Sequence, residues 1–286
     1  MASRVVLVLG GGGVKGMAHA GAWKAIEDSG IEVSEIIGTS IGALVGACLA
    51  GGLGWEELAP RALALEKQDI VRLNRWALLL NGIRQPSVFL GETLQEYIAS
   101  VLPVARFEEL GVPLSMNAVH LNTGRMEWFG AGGRMDVGLA EAVYASCALP
   151  LFYPPAELNG RFYVDGGVAD ALPVQRAVER GADLIIAVDA GAGPVKDAED
   201  TISKGLVAVH HRVFDIMAYM RKQQILDTWA GPELVYVRPE LDGFSTFDFT
   251  ETQRFLEEGY RATLLALGEP AQSPPMPVEP EVEKAG

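Results

Sequence analysis

The chain is short of the residues that cross-link, ligate and span. Only two of its 286 residues are cysteine, Cys48 and Cys147. Both sit among small apolar neighbours and read as buried free thiols, which leaves nothing to build a disulfide framework from. Histidine occurs four times, at positions 19, 120, 210 and 211, so a mechanism that needs an imidazole has few places to find one. No apolar run approaches the length of a bilayer-spanning helix. The opening run, residues 4–9, is too short for the apolar stretch of a secretory signal, and with the free thiols this sets the expectation of a cytoplasmic protein. Positive charge is also scarce: 23 Lys and Arg stand against 37 Asp and Glu, a net charge of −14. That sign is wrong for nucleic acid and for general adhesion to an anionic membrane.

Glycine, by contrast, is abundant, with 33 residues, and its placement carries the argument. Gly10-Gly11-Gly12-Gly13-Val14-Lys15-Gly16 follows the apolar run 4–9, which reads as a buried parallel strand, and precedes a helix over 17–28. Gly38-Thr39-Ser40-Ile41-Gly42 follows a short second strand at 35–37 and opens a helix over 41–50. Both motifs therefore lie at the carboxyl ends of strands, where open α/β sheets bind ligands. A GxGxxG match alone is weak in a chain this rich in glycine. Together, the two motifs would aim a serine hydroxyl and a row of backbone N–H groups at one point, the arrangement of an acyl-transfer site.

Further along, strands are expected at 112–121, 125–129, 161–164, 183–188 and 234–237. Helices are expected at 139–148, 174–180, 203–228 and 252–267. The alternation predicts a three-layer α/β/α sandwich with a mainly parallel central sheet, forming one domain over residues 1–268. In the helix at 203–228, Leu206, Val209, Val213, Ile216, Met217 and Met220 recur at helical spacing and are assigned to the core. Residues 55–101 form an insertion, expected to be a wall or lid of the cleft. Within it Arg72, Arg75 and Arg84 surround Trp76 to Leu80, a pattern that could suit peripheral membrane contact at a lipid interface, or a lipid cleft, but is better read as an ordinary amphipathic helix and loop packed on the core. The tail, 269–286, is rich in proline and glutamate and expected to be disordered.

Ser40 needs a base. His210 and His211 fall inside a predicted helix and not on a loop at the end of a strand, which favours partly exposed helix histidines over a Ser-Asp-His triad. Asp165 is delivered by a strand, and Gly166-Gly167 beside it permits a tight turn. A carboxylate so placed can bond Ser40 without an intervening imidazole, and partial desolvation would raise its pKa toward that of a useful base. Gly11, Gly12 and Gly13 are the candidate oxyanion donors. Lys15 is expected at the loop surface, steering anionic head groups, and His19 is read as a structural hydrogen-bonding group.

These residues resemble the patatin-like phospholipase family. The matches are Gly11 to Gly16, with Lys15 and Gly16 in support, Gly38 to Gly42 around Ser40, and Asp165 with Gly166 and Gly167. The resemblance extends through Asn122-Thr123-Gly124, 145–150, 172–174 and 181–183. It implies hydrolysis of acyl esters in phospholipids, lysophospholipids or neutral lipids through a Ser-Asp dyad, with no metal and no cofactor. His120 stands where the family commonly has aspartate and Ala171 where it has asparagine, which bears on substrate fit. Three rival functions remain, one of them a non-catalytic lipid-binding or regulatory module, against which the retention of both Ser40 and Asp165 speaks. An acyltransferase would use the same acyl-enzyme with an alcohol acceptor. A dinucleotide-binding oxidoreductase would need an acid at the end of the second strand, where this chain has Gly38-Thr39-Ser40. Oligomeric state is not legible.

Overall fold

Alternating burial builds the centre of the molecule. In the computed structural model, which describes residues 3–73, 84–191, 193, 197–270, 272–274 and 276, strand β1 (Val5–Leu9) sends Val5, Leu7 and Leu9 into the main core. Val6 and Val8 point into a second core on the other face. This is the two-residue period of a strand covered on both sides.

A 3-10 turn, Gly13–Met17, leads from β1 into α1 (Ala18–Asp28), followed by β2 (Glu35–Gly38) and α2 (Ile41–Ala50). The insertion supplies α3 (Trp55–Ala64), α4 (Lys67–Ile70) and α5 (Gly91–Val101). Then come β3 (Leu114–His120), β4 (Met126–Gly130), α6 (Leu139–Cys147), β5 (Ala156–Leu158), β6 (Arg161–Asp165), α7 (Val174–Glu179) and β7 (Leu184–Val188). The described chain closes with α8 (Ala198–Ser203), α9 (Leu206–Asp227), β8 (Glu233–Val237) and α10 (Thr252–Ala266). The strands form one sheet in the order β5-β6-β3-β2-β1-β7-β8, with β4 also on β3. The five strands β3, β2, β1, β7 and β8 are parallel, whereas β4, β5 and β6 join antiparallel. The sheet is therefore mainly parallel with helices on both faces, an α/β sandwich of three layers.

β3 holds three partners. Ser115 to Val119 pair with β4 along one edge, so β2 and β6 must share the other. β2 runs parallel to β3 and ends with Gly38 opposite Met116; β6 runs antiparallel and ends with Asp165 opposite Ala118. The two strands point at each other and stop one residue apart, across from Asn117. Segments distant in sequence thus deliver their carboxyl ends to one place.

The apolar stripe expected to face the core from α9 does the opposite. Leu206, Val209, Val213, Ile216, Met217 and Met220 are between 36% and 66% exposed, while the helix turns Asp215 and Lys222 inward. Periodicity identified the faces correctly, but the inward one lines a cleft and not a core. In the insertion, Arg75 and the run from Trp76 to Leu80 lie outside the described residues, as does most of the tail; of the described tail residues, Met276 packs against the main core.

One helix pair is closer than any side chain allows. A methyl on Gly21 of α1 would stand 1.9 Å from the Leu256 carbonyl oxygen of α10, and one on Gly259 would stand 1.9 Å from that of Ala18. Gly21→Ala or Gly259→Ala should therefore push the helices apart and cost about 2–3 kcal/mol. Urea unfolding would register this as a lower midpoint at unchanged slope; an unmoved midpoint would show the crossing to be soft.

Candidate active site

The site begins where β2 ends. After Gly38 the chain turns through Thr39 and enters α2 at Ser40, whose φ of 56° and ψ of −126° lie outside the regions that side-chain-bearing residues favour. Such a turn lifts the serine side chain clear of the helix it caps. It depends on close packing beneath: a methyl on Gly42 would come within 2.1 Å of the Leu9 carbonyl oxygen, and one on Gly38 within 2.5 Å of that of Gly42. The Ser40 N–H donates to Ser146 Oγ at 2.9 Å, which fixes the elbow to α6.

The Ser40 hydroxyl donates directly to Asp165 Oδ2 at 2.7 Å. The other carboxylate oxygen accepts the Gly167 N–H at 2.7 Å. Asp165 is buried, and desolvation pushes its pKa up to about 6, although the bonds from Ser40 and Gly167 pull the other way. Both donors are neutral, so burial wins. Cys147, also at this point, is held protonated by burial and by the nearness of Asp165.

Asn117 fills the gap between the two strand ends. Its Oδ1 accepts from Thr39 Oγ1 at 2.9 Å, and its Nδ2 donates to the Asp170 carbonyl at 2.9 Å and to that of Gly166 at 3.4 Å. The serine elbow and the aspartate turn are thereby tied to one buried amide. This residue escaped the sequence reading; its signal was a lone amide in the middle of an apolar strand. Ser146 escaped as well, since a serine inside a small-residue helix reads as filler.

The glycine loop is only partly as expected. Gly10 N–H donates to the Val188 carbonyl and Gly11 N–H to that of Ala171 at 2.9 Å. Gly11 is therefore engaged in holding the loop, a correction to its assignment as an oxyanion donor. Val14 N–H donates to the Thr246 carbonyl at 2.9 Å. Gly12 and Gly13, at the start of the 3-10 turn, have no hydrogen-bond acceptor for their N–H groups among the described residues, as expected for the first groups of a helical turn. Gly16 packs against Ile41, joining the loop to α2.

Lys15 also differs from expectation. It is buried and lines the cleft, where a lysine in a glycine-rich loop had suggested the surface. His19 behaves as read: its Nε2–H donates to the Gly10 carbonyl at 2.8 Å, and burial lowers its pKa to about 4, so it braces the loop as a neutral ring. His120 meets Thr123 Oγ1, and His210 is exposed. His211 reaches the cleft and shares a 2.7 Å hydrogen bond with Thr246 Oγ1.

Around these groups lies a cleft of about 1090 Å³, open solvent at its mouth included. Its walls are chiefly apolar. Leu65, Ile70, Leu94 and Tyr97 come from the insertion, Leu149 and Tyr153 from the segment after α6, and Phe214 and Tyr219 from α9. Asp189 stands in one wall, just past β7, with Lys222, Tyr236 and Arg238 all on Oδ2. Burial would raise its pKa, but the cations overcome that and hold it at about 2. Among the described residues no group of three or more His, Cys, Asp and Glu side chains could hold a metal ion. The acid a dinucleotide site requires is absent too: Glu35 lies at the far end of β2, buried between Arg4 and Arg180.

Residues 7–178 match the family model for patatin-like phospholipases. The chain belongs to the patatin-like phospholipase family. An uncharacterized NTE family protein of Mycobacterium tuberculosis is 33% identical over 222 residues, 75% of this chain and 59% of the relative. A lysophospholipase NTE1 of Coccidioides immitis is 28% identical over 98% of this chain but only 18% of its own length. This patatin-like chain thus spans about three fifths of the mycobacterial relative and a small part of the fungal one. Among solved structures, VipD from Legionella pneumophila has a TM-score of 0.59 at 14% identity, covering 93% of this chain and 66% of VipD. That likeness gives the patatin-like sandwich an experimental counterpart in fold.

The raised pKa of Asp165 has a consequence for stability. Folding lifts it from 3.8 to about 6, so the group's contribution is fully present below the unfolded value and is lost as pH rises through the folded one. Asp165→Asn should accordingly melt several degrees higher than the parent at pH 8, roughly 4–8 °C for a ~2 kcal/mol gain. The difference should vanish at acid pH. Calorimetry across pH tests this, and a variant that melts lower at pH 8 would refute it.

Proposed function

We propose that this chain hydrolyses carboxylic esters of lipids, phospholipid or lysophospholipid, through Ser40 and Asp165. The observation that carries the reading is the direct 2.7 Å hydrogen bond from Ser40 Oγ to Asp165 Oδ2 in a buried setting. Family membership and the apolar cleft support the lipid substrate, and the NTE1 relative is by name a lysophospholipase.

In this mechanism the ester carbonyl sits between Ser40 and the glycine loop. As Ser40 Oγ attacks, Asp165 takes its proton. Negative charge then collects on the carbonyl oxygen, where Gly12 and Gly13 N–H groups and the positive end of the following helix stabilise it. Collapse breaks the ester bond; the alcohol leaves with the proton that Asp165 returns, and the acyl group stays on Ser40. Water attacks the acyl-enzyme, giving its proton to Asp165, and the fatty acid departs as Ser40 is reprotonated. The cleft walls contributed by the insertion hold the acyl chain. Lys15 and Gly16 support the loop, as Gly38 and Gly42 support the elbow and Gly166 and Gly167 the aspartate turn.

The base must be ionised, so kcat/KM for a soluble p-nitrophenyl ester should rise with pH along one ionisation at about 6 and level off above it. Ser40→Ala and Asp165→Asn should each lower kcat by at least about 10³-fold, since removal of either member disables the unit. His210→Ala/His211→Ala should stay within a few fold of the parent. Full activity in either of the first two, or a folded but dead histidine variant, would overturn the mechanism. Added alcohol should divert only a minor share of product to transesters; dominant transfer would make the chain an acyltransferase.

A further inference from the structure

The glycine loop is clamped by three separate segments. Gly10 N–H donates to the Val188 carbonyl, Gly11 N–H to that of Ala171, and Val14 N–H to that of Thr246. The two groups between them, on Gly12 and Gly13, are those assigned to the oxyanion. Val188 ends β7, and Ala171 follows the aspartate turn within the stretch that matches the family model. Thr246 has neither setting. It lies in the irregular segment between β8 and α10, beyond the residues matched by that model.

Thr246 meets the loop with its side chain as well as its carbonyl. Gly13 has a φ of 63°, and a methyl on it would stand 2.2 Å from Thr246 Cγ2 and 2.5 Å from the Thr246 carbonyl oxygen. The threonine methyl therefore occupies the space that a side chain on Gly13 would need. Glycine has the widest choice of backbone torsions, so this contact narrows the directions in which the Gly13 N–H can point. Thr246 is buried and is itself held. Its Oγ1 shares the 2.7 Å hydrogen bond with His211. On one side Phe247 packs edge-on against Phe89, with ring centroids 5.6 Å apart, and against Phe152 at 4.9 Å. On the other, Phe244 rests on Phe255 of α10.

We propose that Thr246 is a positioning residue for the oxyanion donors: its carbonyl on Val14 and its methyl on Gly13 together keep the Gly12 and Gly13 N–H groups turned toward the ester oxygen. The inference rests on the hydrolase reading and adds to it a residue that no motif marks. Charge appears on that oxygen only as Ser40 attacks, so a loosened loop costs turnover and not substrate binding. The hydrogen bonds that hold Ser40 and Asp165 do not involve Thr246, which leaves the ionisation of Asp165 untouched. Loss of the His211 bond alone leaves both loop contacts in place.

Two conservative substitutions separate the contacts. Thr246→Ser keeps the hydroxyl for His211 and deletes the methyl on Gly13; Thr246→Val keeps the methyl and deletes the hydroxyl. With a soluble p-nitrophenyl ester, Thr246→Ser should lose about tenfold in kcat at a KM within about twofold of the parent, the pattern of an interaction made only in the transition state. That loss is smaller than the ~10²–10³-fold cost of removing an oxyanion donor outright. Its inhibition constant for a trifluoromethyl ketone, which forms a tetrahedral oxyanion on Ser40, should rise about tenfold in parallel. This constant does not depend on how much of the sample is folded. Thr246→Val should stay within about threefold of the parent in both measurements, and both variants should keep the rise of kcat/KM with pH at about 6. The proposal is overturned if Thr246→Ser retains the parent's kcat and inhibitor affinity, if Thr246→Val falls as far as the serine variant, or if either moves the ionisation. A parent that hydrolyses no ester fails the hydrolase reading and takes this proposal with it. An active parent with an unaffected serine variant removes the proposal alone.

Discussion

Two strands aimed head-on along one edge of β3 create the contact on which the rest depends. β2 and β6 come from opposite directions and stop on either side of Asn117, so their carboxyl ends must meet. A parallel neighbour alone would have placed its end beside that of β2, side by side and a strand spacing away. The antiparallel approach of β6 instead brings Asp165 to face the turn after β2. The buried amide of Asn117, which accepts from the Thr39 hydroxyl and donates to the Asp170 and Gly166 carbonyls, joins the two turns across the gap and is itself satisfied in doing so, as a buried polar group requires.

Two equally buried carboxylates of the same cleft have pKa values shifted in opposite directions. Asp165 faces only neutral donors and holds its proton up to about pH 6; Asp189 faces Lys222 and Arg238 and stays ionised down to about 2. Their desolvation is alike. What differs is whether a cation accompanies the charge, and that decides which one can exchange a proton near neutrality. Asp189 instead works as the anchor that holds Lys222, and α9 with it, over the cleft.

Much of this arrangement was legible in the residues. The helix at 41–50 and the strands at 161–164 and 183–188 followed from apolar runs bounded by glycine, and Ser40, Asp165 and the loop glycines from their places at strand ends. What escaped reading depended on tertiary partners. Nothing local shows that the Ala171 carbonyl occupies Gly11 and leaves Gly12 and Gly13 available, or that Lys15 folds inward. The stripe on α9 is the instructive case: spacing defines two faces of a helix, but which one turns inward depends on whether the interior there is core or cleft. The antiparallel β5–β6 pair likewise lacked a signal, because β5 is three residues long and its turn is supplied by Asn159 and Gly160 with positive φ.

β2 is only four residues long, yet its two ends do different work. Glu35, its first residue, is pinned between Arg4 and Arg180 at the base of the sheet, and Ser40 follows its last residue at the top. The strand therefore acts as a gauge rod: an ionic clamp sets its axial position, and its fixed length sets how far the serine projects. One residue more or fewer would invert the pleat and rotate the elbow away from Asp165. The height of Ser40 is thus measured from the opposite end of the molecule.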